Sequence, residues 1–204
     1  MQRIQHQLKK GAQQGFTIVE LIIVLTVVSV LVGSAVKGYA VYQDSQATME
    51  AGNLQYIVTK LQSKYRNALN TAGADTAAAI VGKVFPENMS IVQGALAVGG
   101  APAVEASVTN GVGGPVIVAP ADVSPGSNNA FTISTAGWGS GACAKLVTDL
   151  LPVAKKITVT STGVSTAVVA LDKTIATVVN YDPVVVDGGC KGGNAVVTIT
   201  VYKG

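Results

Sequence analysis

Gly15-Phe16-Thr17-Ile18-Val19-Glu20 opens an apolar run that continues to Val36, and the reading of this junction decides the fold. From Phe16 to Val36 the only ionisable side chain is Glu20. At about 1.5 Å of rise per residue the run makes a helix of roughly 30 Å, enough to cross a bilayer. A carboxylate near the start of such a helix costs on the order of 2.5–3.5 kcal/mol on insertion scales, so Glu20 needs a partner. Ahead of the junction, Met1 to Gly15 carries Arg3, Lys9 and Lys10 and no acid. Positive charge at that end keeps it in the cytoplasm and sends the rest of the chain across. The body is predicted to be extracytoplasmic.

A short basic leader, then Gly15, then Phe16-Thr17-Ile18-Val19-Glu20-Leu21 resembles the processing site of type IV pilins and their relatives. The resemblance implies that a prepilin peptidase cuts after Gly15 on the cytoplasmic side and that the new amino terminus at Phe16 is methylated. It also implies that Glu20 pairs with the terminal amine of Phe16 on a neighbouring subunit, which supplies the missing partner. An ordinary signal peptide, cleaved on the far side near Gly33-Ser34-Ala35, is the competing reading. Its h-region is usually about 7–15 residues, shorter than this run, and rarely carries a glutamate near its start.

At 204 residues the chain has room for one membrane helix and one domain of ordinary size. Its formal charge of +3 comes entirely from Arg3, Lys9 and Lys10. Without the leader, basic and acidic side chains are equal in number and no basic stripe remains for nucleic acid. The only histidine, His6, also lies in the leader. A mature chain then lacks the imidazole of general base catalysis, of a Ser/His/Asp arrangement or of a zinc site, and most routes to an enzyme close. No enzyme activity, cofactor or metal is expected. Cys143 and Cys190 are the only cysteines, and an oxidising compartment favours a disulfide between them over two unpaired buried thiols.

After Val36 the pattern turns amphipathic without a break. Tyr39, Tyr42, Leu54, Val58, Leu61, Tyr65 and Ala68 recur at steps that place one apolar stripe on a helix. One helix of roughly 80 Å is predicted from near Phe16 to about Leu69, with Gly33, Gly38 and Gly52 as its weak points. Asn70 to Ala130 is rich in Ala, Gly, Val and Pro and reads as a long surface connection with short strands and a helical turn over Ala77 to Val81. Beyond it, Phe131 to Ser134 alternates like a strand, Gly137 to Gly141 reads as a turn, and Ala142 to Leu151 as a short helix closed by Pro152. The β-branched runs Lys156–Ser161, Val164–Ala170, Thr174–Tyr181, Val184–Val186 and Ala195–Tyr202 suit an antiparallel sheet. Leu146, Val147, Leu150 and Leu151 are expected to face that sheet, and Lys145 and Asp149 to face water.

A strand, a short helix carrying Cys143, and a second cysteine shortly before a last strand together resemble the globular domain of type IVb pilins, such as the toxin-coregulated, bundle-forming and conjugative thin-pilus types. Leader length agrees with that class. Phe16 at the mature start is more usual in the type IVa class, and the apolar segment lacks a helix-kinking proline.

The other motifs carry bland readings. Gly137-Trp138-Gly139-Ser140-Gly141 lacks the lysine of a P-loop and reads as a turn, with Trp138 as core rather than surface contact. Asp182 and Asp187 are thin material for a calcium cage of about six oxygens. Asp122 and Asp172 look like turn or surface acids, and the sequon form Asn88-Met89-Ser90 is assigned no role.

The predicted fold is α+β: a long N-terminal helix, membrane-spanning in its first half, packed on an antiparallel sheet with one disulfide. Its parts are a cleaved leader (1–15), an apolar half-helix (16–36), an amphipathic half-helix (37–70), a connecting region (71–130) and a disulfide-bounded sheet (131–204). The expected role is that of a pilin, held in the inner membrane as a precursor. It is then polymerised with copies of itself by an inner-membrane assembly platform into an extracellular filament for adhesion, aggregation or conjugation. Alternatives are a type II secretion pseudopilin and a membrane-anchored extracytoplasmic binding protein.

Overall fold

The computed structural model describes residues 17–92, 107–123, 126, 128–175 and 178–203. The leader, with Gly15 and Phe16, lies outside them. Helix α1 runs from Ile18 to Tyr65 and is helical through Gly33, Gly38 and Gly52. Just past its end, the Lys203 ammonium donates to the carbonyls of Ala68 at 2.6 Å and Leu69 at 3.1 Å. The ammonium thus ties the turn that follows the helix to the end of the chain's last strand.

The chain divides into two units at Tyr39 and Ala40. In the first, side chains from Ile18 to Ala35 are exposed and apolar apart from Glu20, Thr26, Ser29 and Ser34. The three hydroxyls each donate to a carbonyl one turn back: Thr26 to Ile22 at 2.8 Å, Ser29 to Leu25 at 2.7 Å and Ser34 to Val30 at 2.7 Å. Polar atoms bonded to their own helix cost little in hydrocarbon. This helix is long and apolar enough to cross a membrane.

In the second unit, Ala47, Ala51, Leu54, Ile57, Val58 and Leu61 form the buried stripe of α1. The predicted Leu54, Val58 and Leu61 lie on it, whereas Tyr42 is exposed and donates its hydroxyl to the Gly111 carbonyl at 3.1 Å. Helix α2, Thr76–Val81, starts where the Asp75 carboxylate accepts from the Ala78 amide at 2.7 Å. Strands β1 (Ser90–Val92) and β2 (Ser107–Thr109) pair as a small antiparallel ribbon.

The main sheet comprises β3 (Val116–Ala121), β4 (Ala130–Trp138), β5 (Lys156–Thr160), β6 (Val168–Asp172) and β7 (Ala195–Tyr202), ordered β3-β4-β7-β5-β6 with every pair antiparallel. Register places Val118, Ile133, Ile199, Ile157 and Leu171 in one row across it, all buried. On the other face Ser134 and Thr198 share a hydroxyl contact at 2.8 Å and are half-exposed. One apolar and one polar face is the pattern of a sheet covered on one side only.

Several expectations are corrected here. β3 lies inside the stretch expected to be a surface connection with short strands, but it belongs to the main sheet. Its Pro120 is tolerated because β3 is an edge strand, where one side of the backbone needs no amide donor. The turn expected over Gly137 to Gly141 is divided between β4 and helix α3, Ser140–Leu150. Between Thr135 and Trp138 the strand takes one extra residue relative to β7, with Gly137 at φ +92°. That bulge turns Trp138, rather than residue 137, into the core, where it is fully buried. Val184 to Val186, expected as a strand, belongs to helix α4, Pro183–Cys190. The Asp182 carboxylate accepts from the Val184 amide at 2.8 Å, and Pro183 sits in the first turn, where its missing donor costs nothing. Of the expected strand Thr174–Tyr181, the described residues contribute a single bridge, Val179 to Asp172.

Cys143 in α3 and Cys190 at the end of α4 are disulfide-bonded, both fully buried, with Cα atoms 5.8 Å apart. A Cβ on Gly189 would stand 3.1 Å from that of Val168 and 3.3 Å from that of Val159, so glycine lets α4 lie close on the sheet. Removing the Asp182 cap by Asp182→Ala is expected to cost about 1 kcal/mol. Chemical denaturation of the chain measures this, with Asp187→Ala, on the exposed face of α4, within about 0.5 kcal/mol of wild type.

Candidate functional site

Glu20 stands at the third position of α1. Its amide donates to the Thr17 hydroxyl at 3.2 Å, and the Leu21 amide donates to the Thr17 carbonyl at 3.1 Å. Thr17 is therefore the N-cap, and Thr17-Ile18-Val19-Glu20 has the form of a capping box. The spacing was legible in the sequence but absent from its reading above. The cap fixes where the helix begins, so it fixes the height of the Glu20 carboxylate above an apolar stretch in which the next ionisable side chain is Lys37. Such a head offers one anionic group at a defined level, suited to pairing with a cation.

A second carboxylate was missed. Glu50 sits on the buried stripe of α1 between Ala47 and Leu54 and is 1% exposed. Its Oε1 accepts from the Thr135 hydroxyl at 3.0 Å, while Oε2 has no hydrogen-bond partner among the described residues. Burial pushes the carboxyl up to about 7, against the opposing pull of the Thr135 hydroxyl and the neighbouring Asn53 amide. The Thr135 oxygen in turn accepts from Asn110 Nδ2 at 2.8 Å and Trp138 Nε1 at 3.3 Å. Asn110 also ties the turn that follows it, accepting from the amides of Val112 at 3.1 Å and Gly114 at 2.8 Å. The helical spacing 47, 50, 54 marks Glu50 as inward-facing, but its partner lies 85 residues away and leaves no local signal.

Asp172 is likewise no surface acid. It is buried, and Lys156 Nζ lies 2.8 Å from its carboxylate. Burial alone would raise its pKa, but the Lys156 ammonium and bonds from Thr174 hold it below the ordinary aspartate value. Asp122 does sit in a turn, accepting from the Asn128 amide. Asp182 is engaged as the cap of α4, and the described residues contain no group of three or more His, Cys, Asp or Glu side chains suited to a metal ion. Lys145 and Asp149 pair at 3.1 Å on the outer face of α3.

A family model described as "PilS N terminal" matches residues 44–202, and one described as "Prokaryotic N-terminal methylation motif" matches residues 10–36. Among solved structures, the chain is similar to the crystal structure of type IV b pilin from Salmonella typhi. The two are 21% identical, with 76% of this chain and 99% of that chain covered and a TM-score of 0.54. At that identity the likeness is one of fold. No curated protein matches.

Proposed function

We infer the role of this chain from its family: it belongs to the PilS family, and it is a structural subunit of a type IV pilus with a fold most like that of a type IVb pilin. The observation that carries this reading is the methylation motif over residues 10–36 in the same chain as the PilS match over residues 44–202.

In this reading prepilin peptidase removes residues 1–15, the amine of Phe16 is methylated, and the exposed apolar stretch of α1 holds the subunit in the inner membrane. An assembly platform there then feeds it into an extracellular filament. Packing the apolar stretches of successive subunits together removes surface from water at roughly 25 cal/mol per Å². The Glu20 carboxylate sets the stagger, because an unpaired charge in that apolar bundle is strongly disfavoured. The self-bonded hydroxyls of Thr26, Ser29 and Ser34 support the reading, since they leave Glu20 as the one side chain of the apolar stretch in need of a polar partner.

Mass spectrometry of sheared surface material, paired with negative-stain microscopy, tests the proposal. The expected result is long detached filaments containing a chain that begins at methylated Phe16. A start after Ala35 would mean signal-peptide cleavage. A correctly processed chain that never leaves the membrane would fit a non-polymerising anchored protein instead.

A further inference from the structure

The Glu50 cluster is not used by filament assembly as described above, and its hydrogen bonds run in one direction only. Asn110 Nδ2 spends one proton on the Thr135 oxygen and the other on the Ala136 carbonyl at 2.7 Å. Trp138 Nε1 has a single proton, also given to Thr135. With both donors aimed at its oxygen, the Thr135 hydroxyl has its own proton to give, and it goes to Glu50 Oε1. Among the described residues no donor comes within hydrogen-bond distance of the buried Oε2.

Among the described residues no ion pair compensates a charge there. β2, β3, β4, β7 and the turn after Asn110 contain no Asp, Glu, Lys, Arg or His; β7 contributes only the Tyr202 phenol as a titratable group. In α3, Lys145 and Asp149 are paired with each other. On α1 the flanking ionic side chains are Asp44 and Lys60, both exposed. A proton on Oε2 removes the charge from this buried site, and its loss leaves a carboxylate held by the Thr135 hydroxyl and drawn on by the nearby Asn53 amide, too little to offset its burial.

The same helix makes two more polar contacts with these elements: exposed Tyr42 donates to the Gly111 carbonyl at 3.1 Å, and buried Gln43 Oε1 accepts from the Gly139 amide at 3.0 Å. Side chains 42, 43 and 50 thus form a clasp between α1, the turn over Asn110 to Gly114 and the Trp138 end of β4.

We propose that Glu50 is a proton-operated latch: neutral, it holds the turn over Asn110 to Gly114 and the Trp138 end of β4 on α1, and ionised, it releases them. The sign follows from linkage. A carboxyl that titrates near 7 in the closed form and near its ordinary 4.5 when opened keeps its full stabilisation below about 4.5 and loses it as pH rises to about 7, beyond which nothing more is lost.

The test uses the full chain in detergent micelles. Trp138 is the only tryptophan, so its emission is expected to change with a midpoint near pH 7. Hydrogen-exchange protection of the Gly114 amide, corrected for intrinsic rate, is expected to fall about tenfold per pH unit from about 5 to 7 and then level off. In Glu50→Gln, which keeps an acceptor for Thr135 without a titrating proton, both profiles are expected to be flat. Flat wild-type protection from pH 5 to 7 overturns the latch without recourse to any variant. A Glu50→Gln profile that matches wild type overturns it equally.

Discussion

Glu20→Leu subunits are expected to enter the membrane, be cleaved after Gly15 and be absent from the shear fraction. Removing a charge from the head of an apolar helix only eases insertion, and the helix start survives because the cap is the Thr17 hydroxyl on the residue-20 amide, a backbone group that leucine retains. What changes is assembly. In the proposed filament the amine of an incoming Phe16 would meet an apolar bundle with no counter-charge, a state that costs several kcal/mol. Glu20→Asp keeps the charge and shortens its reach, so it is expected to fall between. The quantity to measure is pilin in the shear fraction relative to processed pilin in the membrane, ranked wild type above Asp and Asp above Leu. Equal assembly by the leucine variant would remove Glu20 from the stagger. A leucine variant that accumulates uncleaved would place the residue in processing instead.

Elements built from local signals were legible in the sequence. The apolar run, the stripe Leu54, Val58, Leu61 and the alternation in β4 and β7 each carry their periodicity within a short window. Where the reading failed, two local signals competed. At Val184 to Val186 the β-branched composition points to a strand, yet its bias against helix is at most about 0.7 kcal/mol per residue, and the Asp182 cap, Pro183 in the first turn and the Cys143–Cys190 bond favour the helix. At β3 the proline-rich composition hides a strand of the main sheet, because proline is barred only from the interior of a sheet and β3 is at its edge. Beyond local signals lay the long-range partners. Glu50 shows its inward face by spacing, but Thr135, Asn110 and Trp138 reach it through tertiary structure. Asp172 read as a surface acid because nothing near it in sequence announces Lys156.

The disulfide is where losing a single bond is expected to cost the domain most. It closes a sequence separation of 47 residues, for which the chain-entropy model gives about 4 kcal/mol, corresponding to a fall in thermal midpoint on the order of 10 °C. Cys143→Ser adds a hydroxyl in a fully buried position, so Cys143→Ala with Cys190→Ala is the cleaner variant, and Cys143→Ser with Cys190→Ala, compared with it, reports the cost of the buried polar atom. The loss is expected to begin locally. α4 spans only Pro183 to Cys190, too short to persist alone, and Cys190 is its covalent tie to α3 beside the glycine contact on Val159 and Val168. Exchange of the Val186 amide, bonded to the Asp182 carbonyl at 3.1 Å, is therefore expected to accelerate well before the sheet amides of β7. Reductant added to wild type is expected to reproduce the double-alanine midpoint and to leave the double-alanine chain unchanged. If the three midpoints coincide with that of oxidised wild type, the bond contributes no stability, and α4 is held by its cap and its packing alone.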